Sequence, residues 1–168
     1  MSILPILTFP DPRLRRPALP VAAVTPQIRQ LAADMLETMY AAPGRGLAGP
    51  QVGVMVRLFV MDCTWRDGPP TPRVCLNPQI LEAADALIGH TEGCLSIPGL
   101  TCDVRRPAWI TLRWSDLDGN VQTERLEGFA ATCAQHELDH LNGRLCIDLL
   151  GEAARVAASP VLAAMGSP

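Results

Sequence analysis

The run Gln135-His136-Glu137-Leu138-Asp139-His140 sets two imidazoles four residues apart with a carboxylate next to the first. On an α-helix, residues at that spacing lie one turn above each other on one face, so His136 and His140 can converge on one metal ion. Glu137 sits one position round and can reach a water at that ion without being a ligand. In this H-E-x-x-H arrangement the metal makes the nucleophile and the glutamate handles its proton. The chain has 3 histidines in all, and two of them fall at ligand spacing. The competing reading is a helix that carries two histidines for no chemical purpose.

A catalytic site of this kind needs a third ligand and a position left open for water. No histidine follows His140, and the nearby downstream candidates are Asn142, Cys146, Asp148 and Glu152. The third ligand is therefore sought upstream. Cys133, three residues before His136, shares the helix face that looks into the site and could serve.

The elements that must position these groups are legible in outline. The histidine helix runs from Phe129 to Leu141, with Gly143 at a C-cap position. An earlier helix starts at Thr25, a natural N-cap followed by Pro26. It carries Ile28, Leu31, Met35, Leu36 and Met39 at helical spacing to about Ala41. Gly44 to Gly53 holds four glycines in ten residues, so backbone there passes close to a ligand or another strand. Strands are expected at Val54 to Cys63 and Arg73 to Leu81, with an extended stretch leading into Glu92. Trp109 to Trp114 and Val121 to Leu126 are joined by the hairpin turn Asp118-Gly119-Asn120. The proline- and arginine-dense segment from Thr8 to Val21 reads as an extended arm over the surface. The fold class is α+β, with largely antiparallel sheets packed around a central metal-binding helix. Residues 1–150 form one catalytic domain, and 151–168 a tail that is a short frayed helix or disordered.

Composition limits the function. At 168 residues with 48% hydrophobic and only 4% aromatic residues, the core must be filled by Leu, Val, Ile and Ala. A formal charge of -3 argues against nucleic acid as partner. No run reaches the roughly 18 apolar residues of a membrane helix, and the start lacks the pattern of a signal peptide. The 6 cysteines then read as thiols, buried or metal-bound, and the expected compartment is the cytoplasm.

Three segments in order, Gly44 to Gln51, Glu92 to Ser96 and Gln135 to His140, resemble the motifs of the peptide deformylase family. Pro10 to Arg15 and Val104 to Pro107 are similar too, so the likeness covers about residues 3 to 150. The resemblance implies that Cys94 completes the ligand set with His136 and His140. It also implies one divalent metal per chain, Fe²⁺ in the cell, with Zn²⁺, Ni²⁺ or Co²⁺ possible as purified. A thiolate and two neutral imidazoles suit such borderline-soft ions. The implied reaction removes the N-formyl group from the formylmethionine of new polypeptides. Glu137 moves the proton, while the Leu95 backbone N–H and the Gln51 amide face the developing oxyanion. Gly46 is implied as a backbone contact for the N-formylated peptide, and Phe129 and Cys133 as walls of the pocket for its first side chain. Asp139 is implied to pair with Arg106, and Glu92 to hold the Cys94 loop.

The pocket departs from the family pattern. Arg45, His90 and Thr132 stand where apolar residues are usual, which would weaken binding of a thioether through lost burial and desolvated polar groups. A deformylase-like paralogue with changed substrate preference is thus one alternative; a zinc protease or a non-catalytic metal-binding protein are the others. Ribosome attachment through a basic terminal helix, as some family members use, is not supported by a tail whose only basic residue is Arg155.

Overall fold

The computed structural model describes residues 2–166; Met1, and Ser167 and Pro168 of the expected tail, lie outside the described residues. The first helix, α1 (Pro26–Ala41), begins where the sequence says it should. The Thr25 hydroxyl accepts from the Ile28 N–H at 3.3 Å, with Pro26 at a position whose missing N–H costs nothing.

A five-stranded antiparallel sheet follows, built from β1 (Gly46–Ala48), β2 (Leu58–Met61) and β3 (Arg73–Ala83). It is completed by β6 (Trp109–Ser115) and β7 (Val121–Glu127), in the order β1-β2-β3-β6-β7. Between β3 and β6 the chain forms a separate antiparallel hairpin, β4 (Leu87–Gly93) with β5 (Thr101–Pro107). The remaining helices are α2 (Gly128–Leu141) and α3 (Glu152–Met165).

Strand alternation decides what covers each face of the large sheet. Leu47, Leu58, Val60 and Leu76 pack against Ala32, Met35 and Met39 of α1. Their neighbours Ala48, Phe59, Met61 and Cys75 turn the other way, with Ile110, Leu112 and Leu126, onto Ala131, Cys133, Ala134 and Leu141 of α2. Full burial of each large side chain contributes roughly 1.5–3 kcal/mol, so these two layers fix the sheet between the helices. The opposite side of α2 meets the hairpin, so this helix is the central one. Small residues on α2 let both sheets approach. Its end is sharp because Gly143 adopts φ 73°, and a Cβ there would strike the Arg15 carbonyl.

Four expectations need correcting. The second strand is shorter than Val54 to Cys63, because the Val54 N–H donates back to the Gly49 carbonyl and Val56 pairs instead with Leu19 of the N-terminal arm. β5 was not anticipated as a strand. The N-terminal arm is extended, with a 3-10 turn at Pro12–Arg15, but it does not merely cover the surface. Leu14 is fully buried, and the arm's N–H groups of Leu7, Phe9 and Ala18 donate to the carbonyls of Gln51, Ser96 and Leu141. α3 is a 14-residue helix rather than a short frayed one; Ala158, Leu162 and Met165 pack on the cluster around Leu14, Ile97 and Ile147.

Candidate metal centre

α2 delivers His136 and His140 from consecutive turns, and the loop after β4 delivers Cys94. The three side chains are buried, and their ligand atoms all lie within 4.8 Å of one another. Cys94 Sγ stands 3.3 Å from His140 Nε2, and the two Nε2 atoms are 3.2 Å apart. Two ring nitrogens and a sulfur facing one point at such distances are an arrangement that a shared cation satisfies and that hydrogen bonding alone does not. The upstream cysteine is thus the one brought to the histidines.

The downstream candidates go elsewhere. Asp148 binds Arg15 and the Leu145 N–H, Asn142 accepts from Arg57, and the Cys146 sulfur lies 3.1 Å from that of Cys102. Glu152 is exposed at the start of α3. Cys133, which could have rivalled Cys94, directs its Sγ to the Arg45 carbonyl at 3.5 Å.

Behind the cluster stands a buried network of ion pairs. Glu92 Oε2 is 2.8 Å from His136 Nδ1, which fixes that ring with its Nε2 lone pair toward the site. Arg106 grips both oxygens of Glu92, at 2.6 and 3.0 Å, and reaches Asp139 at 2.8 Å. Burial pushes the Glu92 carboxyl up, but the His136 hydrogen bond and Arg106 outweigh it and hold it at about 2. Burial, with the charges of His136 and Arg106, drives His140 well below the ordinary imidazole value. His140 is accordingly neutral, as a ligand must be.

Glu137, next to His136, is a buried carboxylate at the cavity wall. Burial raises its pKa to about 7, and its Oε2 has no hydrogen-bond partner. A Cβ on Gly46 would fall on the Glu137 side chain, so glycine is required where β1 passes this carboxylate. Gln51 is held by its own Oε1, which accepts from the Ala48 N–H at 2.8 Å. Its Nε2 points to Ser96 Oγ at 3.2 Å and Cys94 Sγ at 3.9 Å. Ser96, fully buried, positions Gln51 and was not singled out in the sequence; its place two residues after Cys94 was the available signal.

A cavity of about 710 Å³ opens from these groups, within the range of small-ligand sites. Gly46, Gln51, Leu95 and Glu137 line one end, and Arg45, His90, Phe129, Thr132 and Cys133 also border it. Arg45 lies over the Phe129 ring at 5.1 Å, its guanidinium bound to the Cys63 carbonyl at 2.5 Å and to Asp67 at 2.7 Å. Arg66, at the cavity edge over the Trp65 ring, was unforeseen and carries no sequence signal.

The sequence matches the family model described as polypeptide deformylase over residues 3–156. A protein of Afipia carboxidovorans named peptide deformylase is 50% identical over 155 residues, which span 92% of this chain and 91% of that protein. Among solved structures, a plant peptide deformylase aligns with a TM-score of 0.94 at 32% identity, covering 98% of this chain and 90% of its own. The peptide deformylase of Synechococcus elongatus, solved with actinonin, gives 0.91 at 39% identity over 100% of this chain and 90% of its own.

Proposed function

This chain belongs to the peptide deformylase family, and from that membership we propose that Cys94, His136 and His140 hold one divalent cation beside Glu137 as the centre of its reaction. The enzyme is a metal-dependent hydrolase that removes the N-formyl group from the N-terminus of nascent polypeptides, giving formate and a free amine. The observation that supports this site is the convergence of one sulfur and two imidazole nitrogens within 4.8 Å, next to a buried carboxylate with an unpartnered oxygen.

The residues present fit such an ion, since a thiolate and two neutral imidazoles suit a borderline-soft metal. When bound, it supplies Lewis acidity toward the formyl oxygen and lowers the pKa of water. In this reading the ion is Fe²⁺ in the cell, and Zn²⁺, Ni²⁺ or Co²⁺ can replace it.

The protein's own groups do the rest. Glu137 takes the proton of the attacking water and later gives it to the leaving nitrogen. Its environment, by burial, brings its proton affinity close to the working pH, where a group serves best in both roles. Gln51 Nε2 and the Leu95 N–H donate to the oxygen on which charge builds up. Gly46 lets the substrate backbone lie along β1. Glu92, Arg106 and Asp139 act through His136, holding its ring in place.

The substrate of this reading is an N-formylated peptide and its compartment the cytoplasm, in keeping with 6 free cysteines. Among the described residues no helix is long and apolar enough to cross a membrane. The reading includes no ribosome docking through α3, whose one basic residue, Arg155, reaches back to the Asp148 and Leu150 carbonyls.

The test is formate release from a formyl-Met peptide by protein loaded with metal without oxygen. Glu137→Gln is expected to retain the metal and lose at least about a hundredfold in kcat. Cys94→Ala is expected to lose both metal and turnover. Metal retained in Cys94→Ala would sink the ligand assignment, and full turnover by Glu137→Gln the role of the carboxylate.

A further inference from the structure

β1 is the edge strand of the large sheet. Gly44, Arg45 and Gly46 line the cavity, whereas Leu47 and Ala48 are fully buried. An extended peptide can add to such an edge as one more strand. With its formyl end beside Glu137, which sits against Gly46, the peptide can run in one direction only, out past Gly44. Each extended residue advances about 3.3 Å, so the residue opposite Gly44 is the third when the first is opposite Gly46. The loop after β2 closes on this exit. Trp65 Nε1 donates to the Gly44 carbonyl at 2.9 Å, its backbone N–H donates to Asp62 at 3.1 Å, and its ring meets that of Tyr40 edge-on at 5.4 Å. On that fixed indole lies the Arg66 guanidinium, 5.4 Å from the ring centroid and at the cavity edge.

Arg66 is exposed, and among the described residues its guanidinium meets no carboxylate and no hydrogen-bond acceptor. The neighbouring Asp67 is committed to Arg45 at 2.7 Å. The two carboxylates among the lining residues, Glu92 and Glu137, are buried, and Glu92 is bonded to Arg106 and His136. The mouth of the cavity therefore offers one uncompensated positive charge, on a chain whose formal charge is -3. The aromatic ring under the guanidinium limits the freedom it gives up on meeting a carboxylate, and its planar fork suits that group.

Building on the deformylase reading, we propose that Arg66 is a specificity-determining residue that favours formyl-Met peptides carrying a glutamate or aspartate as their third residue. The guanidinium meets that carboxylate at the cavity mouth, while the formyl-Met end lies beside Glu137. Lysine or arginine at the same place in the peptide is repelled. The pair forms in contact with solvent and away from the reacting bond. It therefore acts on substrate capture rather than on the chemical step, and salt weakens it.

The experiment compares metal-loaded protein on formyl-Met-Ala-Xaa-Ser amides in which Xaa is Glu, Gln or Lys; the amide end removes the competing terminal carboxylate. In low salt, kcat/KM is expected to be about three- to tenfold higher for Glu than for Lys, the range of an exposed charge pair set against its repulsive counterpart. The difference should lie in KM, with kcat the same for all three peptides. It should shrink toward nothing in about 1 M salt, where charges are screened within about 3 Å. Arg66→Glu should reverse the order of Glu and Lys, and Arg66→Lys, which keeps the charge, should preserve it. Equal values for Glu and Lys in the wild type, or a preference for Glu that survives in Arg66→Glu, overturns the proposal while leaving the deformylase reading standing. No turnover of any formyl peptide by metal-replete protein overturns that reading instead, and calorimetric affinities for the same three peptides then judge Arg66 by the same ratio.

Discussion

The side of the cavity lined by Cys94 and His136 differs from the side lined by Thr132 and His90 in what surrounds its polar atoms. At the first, Glu92 is bonded twice to Arg106 and once to His136, and Arg106 continues to Asp139. At the second, Thr132 Oγ and His90 Nε2 are buried with no partner from the protein. The His136 ring is thus over-determined by its neighbours, while His140 Nδ1 and Glu137 Oε2 beside it, like the two atoms at the other end, have no partner. Arg106→Leu strikes the first end hardest, since it strands Glu92 and Asp139 without their cation. Breaking such a buried pair costs about 3–5 kcal/mol, and loosening the support of a ligand lowers metal affinity by about 10–100-fold. Chemical denaturation and competitive metal titration should show both losses; a variant with wild-type stability and affinity would mean that the ion-pair network supports nothing.

Gly46→Ala tests the border between the two ends. The added methyl falls on the Glu137 side chain, so the carboxylate must swing away from its working place. Displacement of a reacting group by about 1 Å can cost about a hundredfold. That loss is expected in kcat, with metal content unchanged. An alanine variant with full turnover would show that the carboxylate is free to move.

Thr132→Val should have the opposite sign in stability. It removes an unsatisfied buried hydroxyl without emptying the site, so the ligand-free protein gains on the order of 1 kcal/mol. The thermal midpoint should rise accordingly. A lower midpoint would mean that the hydroxyl has a partner in the folded protein, and the contrast between the two ends would fail.

What could be read from the sequence follows the range of the interactions involved. α1 was legible because Thr25 and Pro26 sit next to the residues they cap, and α2 because ligand spacing and helical period coincide at His136 and His140. β5 was hidden by Arg106, a buried cation on the inward face of the strand beside Cys102 and Val104, which breaks the apolar alternation. Its partners Glu92 and Asp139 are 14 and 33 residues away. The prolines of the N-terminal arm exclude regular structure but say nothing about docking, so the burial of Leu14 was not visible. Arg45 gives the same lesson within the site. Its type marks the pocket as unusual, yet where its charge goes depends on Asp67, 22 residues on. The ligand set was found through the likeness of Cys94 and its neighbours to a family, not through spacing.

The loop that carries Asp67 allows the smallest of these effects to be placed on the rim of the open end. Asp62 anchors that loop: its carboxylate accepts from the Tyr40 hydroxyl at 2.7 Å and from the N–H groups of Thr64, Trp65 and Thr71. Trp65 in turn donates to the Gly44 carbonyl at 2.9 Å, which ties the loop to the cavity edge. Burial pushes the Asp62 carboxyl up, but the Tyr40, Thr64 and Thr71 donors outweigh it and hold it below the ordinary 3.8. Burial first, and then the bond to Asp62, raises the Tyr40 phenol to about 12. A carboxyl that is more acidic folded than unfolded stabilises the fold fully above its unfolded pKa, and that stabilisation is lost as pH falls through the lower folded value. The wild type should therefore lose thermal stability, as pH falls through and below the ordinary carboxylate range, more steeply than Asp62→Asn, which starts lower and has less to lose. Melting curves across that window measure the difference in slope. Parallel curves would mean that Asp62 is no better held in the folded chain than in the unfolded one, leaving the position of Arg45 to Phe129 and the Cys63 carbonyl alone.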